Sequence, residues 1–195
     1  NISPKELEQL IEYWTFAAQL EHSSVASFAR FTMQMLSFSV PADLLLAIQT
    51  ATADEVKHAQ SAAHILSTLT KKQVSFGALP LEGITLKTSR RELIEALIRE
   101  ACMSETLGVA EITEALRLSE QELVSQHLNT LLEDETMHAA LAWRSLRWLI
   151  TSAHNSEQAE LIDHAVEIFD LVAIEMGLVQ QSYSRPICHH STLNQ

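Results

Sequence analysis

Two cysteines in 195 residues, Cys102 and Cys188, are too few for a disulfide framework or a Cys-rich zinc site. A reducing, cytoplasmic setting is expected. Glycine and proline number four each. Pro4, Pro41, Pro80 and Pro186 all fall outside apolar-periodic runs or at their very start. A chain so poor in helix breakers, yet 47% hydrophobic, reads as all-α. Basic residues are scarce: 13 Lys and Arg stand against 25 Asp and Glu, a net charge of −12. That excludes a nucleic-acid groove and an anionic membrane surface as partners. No apolar run is long enough to cross a bilayer, so no membrane partner is expected. The length suits one domain with a real core, taken over 1–195. The chain opens on Asn rather than Met, so a signal or a domain ahead of residue 1 stays outside this reading.

What the chain does have is helical periodicity in five stretches. The first starts at Ser3-Pro-Lys-Glu6, a capping box with Pro at the first helical position, and runs to about Ser37. The second runs from near Pro41 to near Leu69. The third starts at the capping box Ser89-Arg-Arg-Glu92 and runs to about Arg117. The fourth starts at a third capping box, Ser119-Glu-Gln-Glu122, and runs to about Thr151. A fifth, additional helix is expected over 156–182, followed by a loose tail over 185–195. Between the second and third helices, 70–88 carries Gly77, Pro80 and Gly83 and lacks a helical period. Those residues can extend roughly 60 Å, whereas the second helix is roughly 43 Å long. The segment can therefore run the length of the bundle as one long crossover, where an up-down bundle would need only a short turn.

Carboxylates interrupt these apolar faces. Glu21 falls inside the stripe of the first helix, four residues after Ala17 and four before Val25. Burying a bare carboxylate costs several kcal/mol unless it is paired or bound to a metal. Glu55-Val-Lys-His58 sits mid-way along the second helix, flanked by small residues, and Glu135-Thr-Met-His138 is its twin on the fourth. Residues three apart share a helix face, so each pair can hold one metal ion from one side. With 20 Glu and 9 His, chance supplies about one Glu-x-x-His, so the pattern alone is weak. Its context is stronger. Each pair follows an Asp (Asp54, Asp134), and each has an isolated Glu on the preceding helix, Glu21 or Glu105. Glu100 and Glu111 compete with Glu105 but share a more polar face with Ser104 and Glu114. The expected helix midpoints fall near residues 20, 55, 103 and 135, so all six candidate ligands converge at one height. Unrelated salt bridges across a bundle would have no reason to do so. Two Glu plus two Glu-x-x-His is the ligand signature of di-iron and di-manganese carboxylate bundles.

Over about residues 4–152 these residues resemble the ferritin-like superfamily, which includes bacterioferritin, rubrerythrin, the ribonucleotide reductase small subunit and the di-iron oxygenases. The stretch Leu20-Glu-His-Ser-Ser-Val-Ala-Ser-Phe28 is similar to bacterial ferritin-like domain proteins. The resemblance implies a ferritin-like four-helix bundle with the crossover between helices 2 and 3. It implies two Fe ions, with Mn the second choice. Glu21, Glu55 and His58 would bind one iron and Glu105, Glu135 and His138 the other, Glu55 and Glu135 bridging. It further implies that Asp54 hydrogen-bonds His138 and that Asp134 hydrogen-bonds His58, since a ligating imidazole needs its second nitrogen held. The implied activity is a di-iron oxidase or oxygenase taking O2 or peroxide, an organic small-molecule substrate and an electron donor, with an oligomer allowed. Iron-handling ferroxidation and storage, or rubrerythrin-like peroxide detoxification, is the alternative. Departures narrow the choice. Ala62 stands where the reductase carries its radical tyrosine, no Cys pairs form a rubredoxin-like centre, and Val109 stands where multicomponent monooxygenases carry Thr.

Other candidates have plainer readings. His22 points about 100° away from Glu21 and suits a solvent or interhelix role. His127, about 12 Å from Glu135 along the helix, reads as a core histidine. His64, His154 and His164 read as surface or helix-end residues. Cys188-His-His190 could bind metal but lies on the tail. Phe16, Phe28, Phe31 and Phe38 read as core.

Overall fold

The structure is a computed structural model and describes residues 3–119 and 122–177, except for the side chains at 123, 124 and 127. It is helical, and no strand occurs among the described residues. The helices are α1 (Pro4–Leu36), α2 (Ala42–Thr70), α3 (Arg90–Leu97), α4 (Met103–Leu118), α5 (Glu122–Thr151) and α6 (Asn155–Glu175). A π-helical turn, Ile98–Cys102, joins α3 to α4, so the two form one long rod.

The caps follow the sequence. Ser3 accepts from the Glu6 amide while Glu6 reaches back to the Ser3 amide (2.7 Å). Ser89 and Glu92 do the same at α3. The expected box at Ser119 involves Glu120 and Gln121, which lie outside the described residues. So do the expected end of the fifth helix beyond 177, the tail over 185–195 with Cys188-His-His190, and the His127 side chain.

α1 packs on α2, α4 on α5, and α2 on α5. Between α1 and α2 the chain reverses at Ser39, whose left-handed φ of 59° lets the Val40 amide return to the Met35 carbonyl (3.3 Å). After α2, residues 71–89 carry no helix and run back along the bundle. Near one end the Val74 amide donates to Ser67 Oγ (3.0 Å). Midway, Phe76 stacks on His22 (4.4 Å), and at the far end the Lys87 amide donates to the buried Gln34 Oε1 (2.9 Å). The crossover therefore returns the chain to the end where α2 began, and α3–α4 descends antiparallel to α1. Arg90 fixes the start of that rod. Its guanidinium donates to the Leu149 carbonyl (2.7 Å) and Ser152 Oγ (3.0 Å) and lies over Phe38 and Trp148.

The core sits toward this end. Met35, Ile48, Leu93, Ile94, Ile98, Cys102 and Leu149 are fully enclosed, and burial pushes the Cys102 thiol up to about 12. α6 turns back at His154, which caps it by accepting from the Ser156 amide, and packs against α3, the π turn and α5. Leu161, Ala165, Ile168 and Val172 face inward, Trp143 and Phe169 stack in parallel at 5.2 Å, and Arg99 binds Glu175 (2.7 Å). One expectation is corrected here. His164 is not a surface residue but 5% exposed, because it lies on the face that α6 turns to the bundle. His64 and His154 are exposed as expected.

Candidate metal centre

The six expected ligands meet midway along the bundle. Glu21, Glu55, His58 and Glu135 form one group and Glu105, Glu135 and His138 another, the candidate ligand atoms of each lying within 4.8 Å of one another. Glu135 belongs to both. His58 Nδ1 stands 3.3 Å from Glu135 Oε1 and 3.7 Å from Glu21 Oε2. His138 Nδ1 stands 3.0 Å from Glu55 Oε1 and 3.6 Å from Glu135 Oε2. The imidazole centroids are 5.9 Å apart. Helix geometry brings this about: α2 and α5 each present a Glu and a His one turn apart, and Glu21 and Glu105 enter from α1 and α4.

Both rings carry Nδ1 toward the carboxylates and Nε2 toward an aspartate of the opposite helix. His58 Nε2 and Asp134 Oδ2 are hydrogen-bonded at 3.1 Å, as expected. Asp54 departs from expectation. Its Oδ2 is 3.7 Å from His138 Nε2, an ion-pair distance rather than a hydrogen bond. The reason is Lys57, three residues on and on the same face, whose ammonium holds Asp54 Oδ1 at 2.7 Å. Lys57 was not singled out from sequence, although its spacing from Asp54 is that of a helical ion pair.

Electrostatics show how the charges settle without a metal. Burial first, then the neighbouring Glu55, pushes Glu21 up to about 8. Burial and contact with Glu135 push Glu105 up to about 8. Burial opposes charge on the imidazoles, but Glu135 and Asp134 overcome it at His58, raising it to about 9. Glu135 and Glu55 raise His138 to about 10. Burial also opposes charge on Glu135, yet the close imidazoles of His138 and His58 and the neighbouring Glu105 carboxyl hold it well below the carboxylate range. Protons thus occupy the place that a multivalent cation would take.

The donor set fits a metal ion. His58 Nδ1 and both nitrogens of His138 are buried without a hydrogen-bond partner. Ring nitrogens left so are costly in a finished interior, protonated or not. A ring nitrogen aimed into carboxylate oxygens is a ready ligand for a divalent ion of the first transition row. His138 is 2% and Glu55 3% exposed, so solvent does not satisfy them. The rejected glutamates stay apart from this donor set: Glu100 pairs with Arg30, and Glu111 is exposed.

A cavity of about 480 Å³ opens onto the cluster between α1 and the α3–α4 rod. Phe16, Phe28 and Phe31 line it. Phe28 and Phe31 also pack on the core, but Phe16 is 64% exposed and is not a core residue. Periodicity could not separate these roles, because core and cavity share one helix face. Compared with protein-family models, curated proteins and solved structures, the chain matches none.

Proposed function

We propose that this chain is a ferritin-like di-iron carboxylate protein that activates O2 or peroxide and oxidises an organic compound. One observation carries the reading. Four buried or half-buried glutamates surround two imidazoles whose Nδ1 atoms have no hydrogen-bond partner and point among the carboxylates. Six titratable side chains gathered mid-bundle are a poor device for folding alone, and metal binding would offset their desolvation. Glu21, Glu55, His58 and Glu135 would hold one ion and Glu105, Glu135 and His138 the other, Glu135 belonging to both groups. Four carboxylates against two divalent cations make the loaded centre neutral. Iron suits oxygen-plus-imidazole ligation and redox work, and manganese is accepted by the same donors. Iron, if bound by these residues, would supply the redox chemistry toward O2 or peroxide, the electrons coming from an external donor or the organic substrate. The protein's own part is to fix the imidazoles through Asp134 and Asp54 and to admit small molecules through the cavity.

A second reading, iron handling by ferroxidation and storage or peroxide detoxification, draws on a different observation. Glu100 and Glu111 line the same opening as the glutamates of the centre, with Arg30 as the arginine among them, an acidic approach that attracts cations. One experiment separates the two. The Fe(II)-loaded chain is mixed with O2, and separately with peroxide, while its mass in solution is followed. Oxidation on a small oligomer, speeded by an organic candidate, supports the oxygenase or oxidase reading. Iron uptake far beyond two per chain on a many-subunit shell replaces it with storage, and no oxidation above the buffer rate refutes both.

A further inference from the structure

We infer that the cavity between α1 and the α3–α4 rod is a binding site for an elongated, uncharged, apolar small molecule. This deepens the oxidase reading and rests on it only for what happens to the molecule once bound. α1 and α4 are the least covered of the long helices. α1 buries only Ala18, Gln34 and Met35 among its described residues, and α4 buries none. They do not close on each other, and the space left between them is about 480 Å³. At about 30 Å³ per non-hydrogen atom, that takes roughly a dozen to sixteen atoms, the range of an organic ligand rather than a few waters.

The walls select the ligand. Phe28, Phe31, Leu97 and Ala101 line the inner part, and Phe16 and Ile112 line the part further along. Gly108 adds an independent sign of room. It lies inside α4, where glycine costs about 1 kcal/mol relative to alanine. Yet a Cβ placed on it would meet nothing within 4 Å, so neither packing nor a close approach calls for glycine. The open space beside it lies one turn from Glu105. Charge completes the selection. Arg30, the arginine of the lining, pairs through its terminal nitrogen with Glu100, while its Nε is buried without a hydrogen-bond partner. Anionic ligands entering the metal-free cavity therefore meet carboxylates and no unpaired guanidinium or ammonium. Once metal neutralises the four ligating glutamates, exposed Glu111 is the one carboxylate of the lining outside the Arg30–Glu100 pair, a water-screened partner for a cationic ligand.

The test is equilibrium binding to the full chain, metal-free and loaded with redox-inert Zn(II). The neutral fluorophore N-phenyl-1-naphthylamine is the probe, and 1-alkanols from hexanol to tetradecanol, with the matching alkanoates, are the competitors. Alkanol affinity is expected to rise about fourfold per methylene until the cavity is full, with each alkanoate at least tenfold weaker than its alkanol on the metal-free chain. Gly108→Phe should weaken the alkanols tenfold or more while two zinc ions stay bound, and Gly108→Ala should bind them as the parent does. If Gly108→Phe loses zinc, Ile112→Trp, two turns from Glu105, carries the same expectation. Affinity independent of chain length, equal binding of alkanoates by the metal-free chain, or filled variants that bind like the parent overturn the site. So does a dimer that excludes alkanols until Phe16→Glu splits it, since a second copy would then be the occupant. Alkanol binding without Fe(II)–O2 reactivity leaves this inference standing and removes the oxidase reading. The reverse result removes only this inference.

Discussion

Metal loading should expel protons from the centre, and the structure says how many. Glu21 and Glu105 sit near 8, His58 near 9 and His138 near 10 without metal. At pH 7 all four therefore hold nearly a full proton each. A metal requires carboxylate and neutral imidazole, so filling both sites should release about four protons per chain at pH 7 and fewer at pH 9. Ligands at their ordinary values would release only about half a proton at pH 7, almost all from the histidines. Calorimetric titration with Zn(II) or Mn(II) in buffers of different ionisation enthalpy reads the number directly. A release near half a proton at pH 7 would refute the electrostatic account even if two ions bind. The same shifts give the stability of the metal-free chain its sign. For Glu21 and Glu105 the folded state holds protons more tightly than the unfolded, so their contribution falls as pH rises from about 4.5 to 8. For His58 and His138 it falls from about 6.5 to 9 or 10. Glu135, held low, acts oppositely and loses its contribution only as pH drops below its ordinary value. Metal-free protein should thus melt at a lower temperature at pH 9 than at pH 6. Metal-loaded protein should not show that fall, because affinity grows as the protons leave.

Three further outcomes follow from individual contacts. Asp134→Ala should weaken metal binding roughly 10- to 100-fold, and Asp54→Ala less, because only Asp134 makes the hydrogen bond to its imidazole; competition with a chelator ranks them, and equal losses would contradict the asymmetry. Arg90→Ala should cost about 2 kcal/mol in urea unfolding, through its bonds to the Leu149 carbonyl and Ser152 and its stacking on Phe38 and Trp148; Arg90→Lys should restore less than half of it. His164→Leu should stabilise the chain by about 1 kcal/mol, since both ring nitrogens are buried without a partner; a lowered urea midpoint would show that His164 has a role the contacts do not reveal.

The centre was legible in the sequence because helices obey a fixed period. Glu55 and His58, or Glu135 and His138, can only share a face. A carboxylate interrupting an apolar stripe, as Glu21 does, needs a partner inside the bundle to offset its desolvation. Capping boxes at Ser3 and Ser89 and the crossover carrying Gly77, Pro80 and Gly83 set the order of elements. What escaped was whatever depends on neighbours from other helices. The π turn at Ile98–Cys102 leaves no signature in residue type. His164 reads as polar and therefore outside until α6 is seen to turn that face inward. Lys57 draws Asp54 away from His138, a contest between two partners that spacing alone cannot rank. Phe16 and Phe28 look alike in sequence and differ only because α1 and α4 stand apart where Phe16 lies.

Metal content tests the central claim most directly. Protein produced in iron-replete medium should carry two ions per chain at full occupancy, and anomalous scattering at the iron edge should place both among Glu21, Glu55, His58, Glu105, Glu135 and His138. Fewer than two ions at saturation, or ions bound anywhere else on the chain, would contradict it.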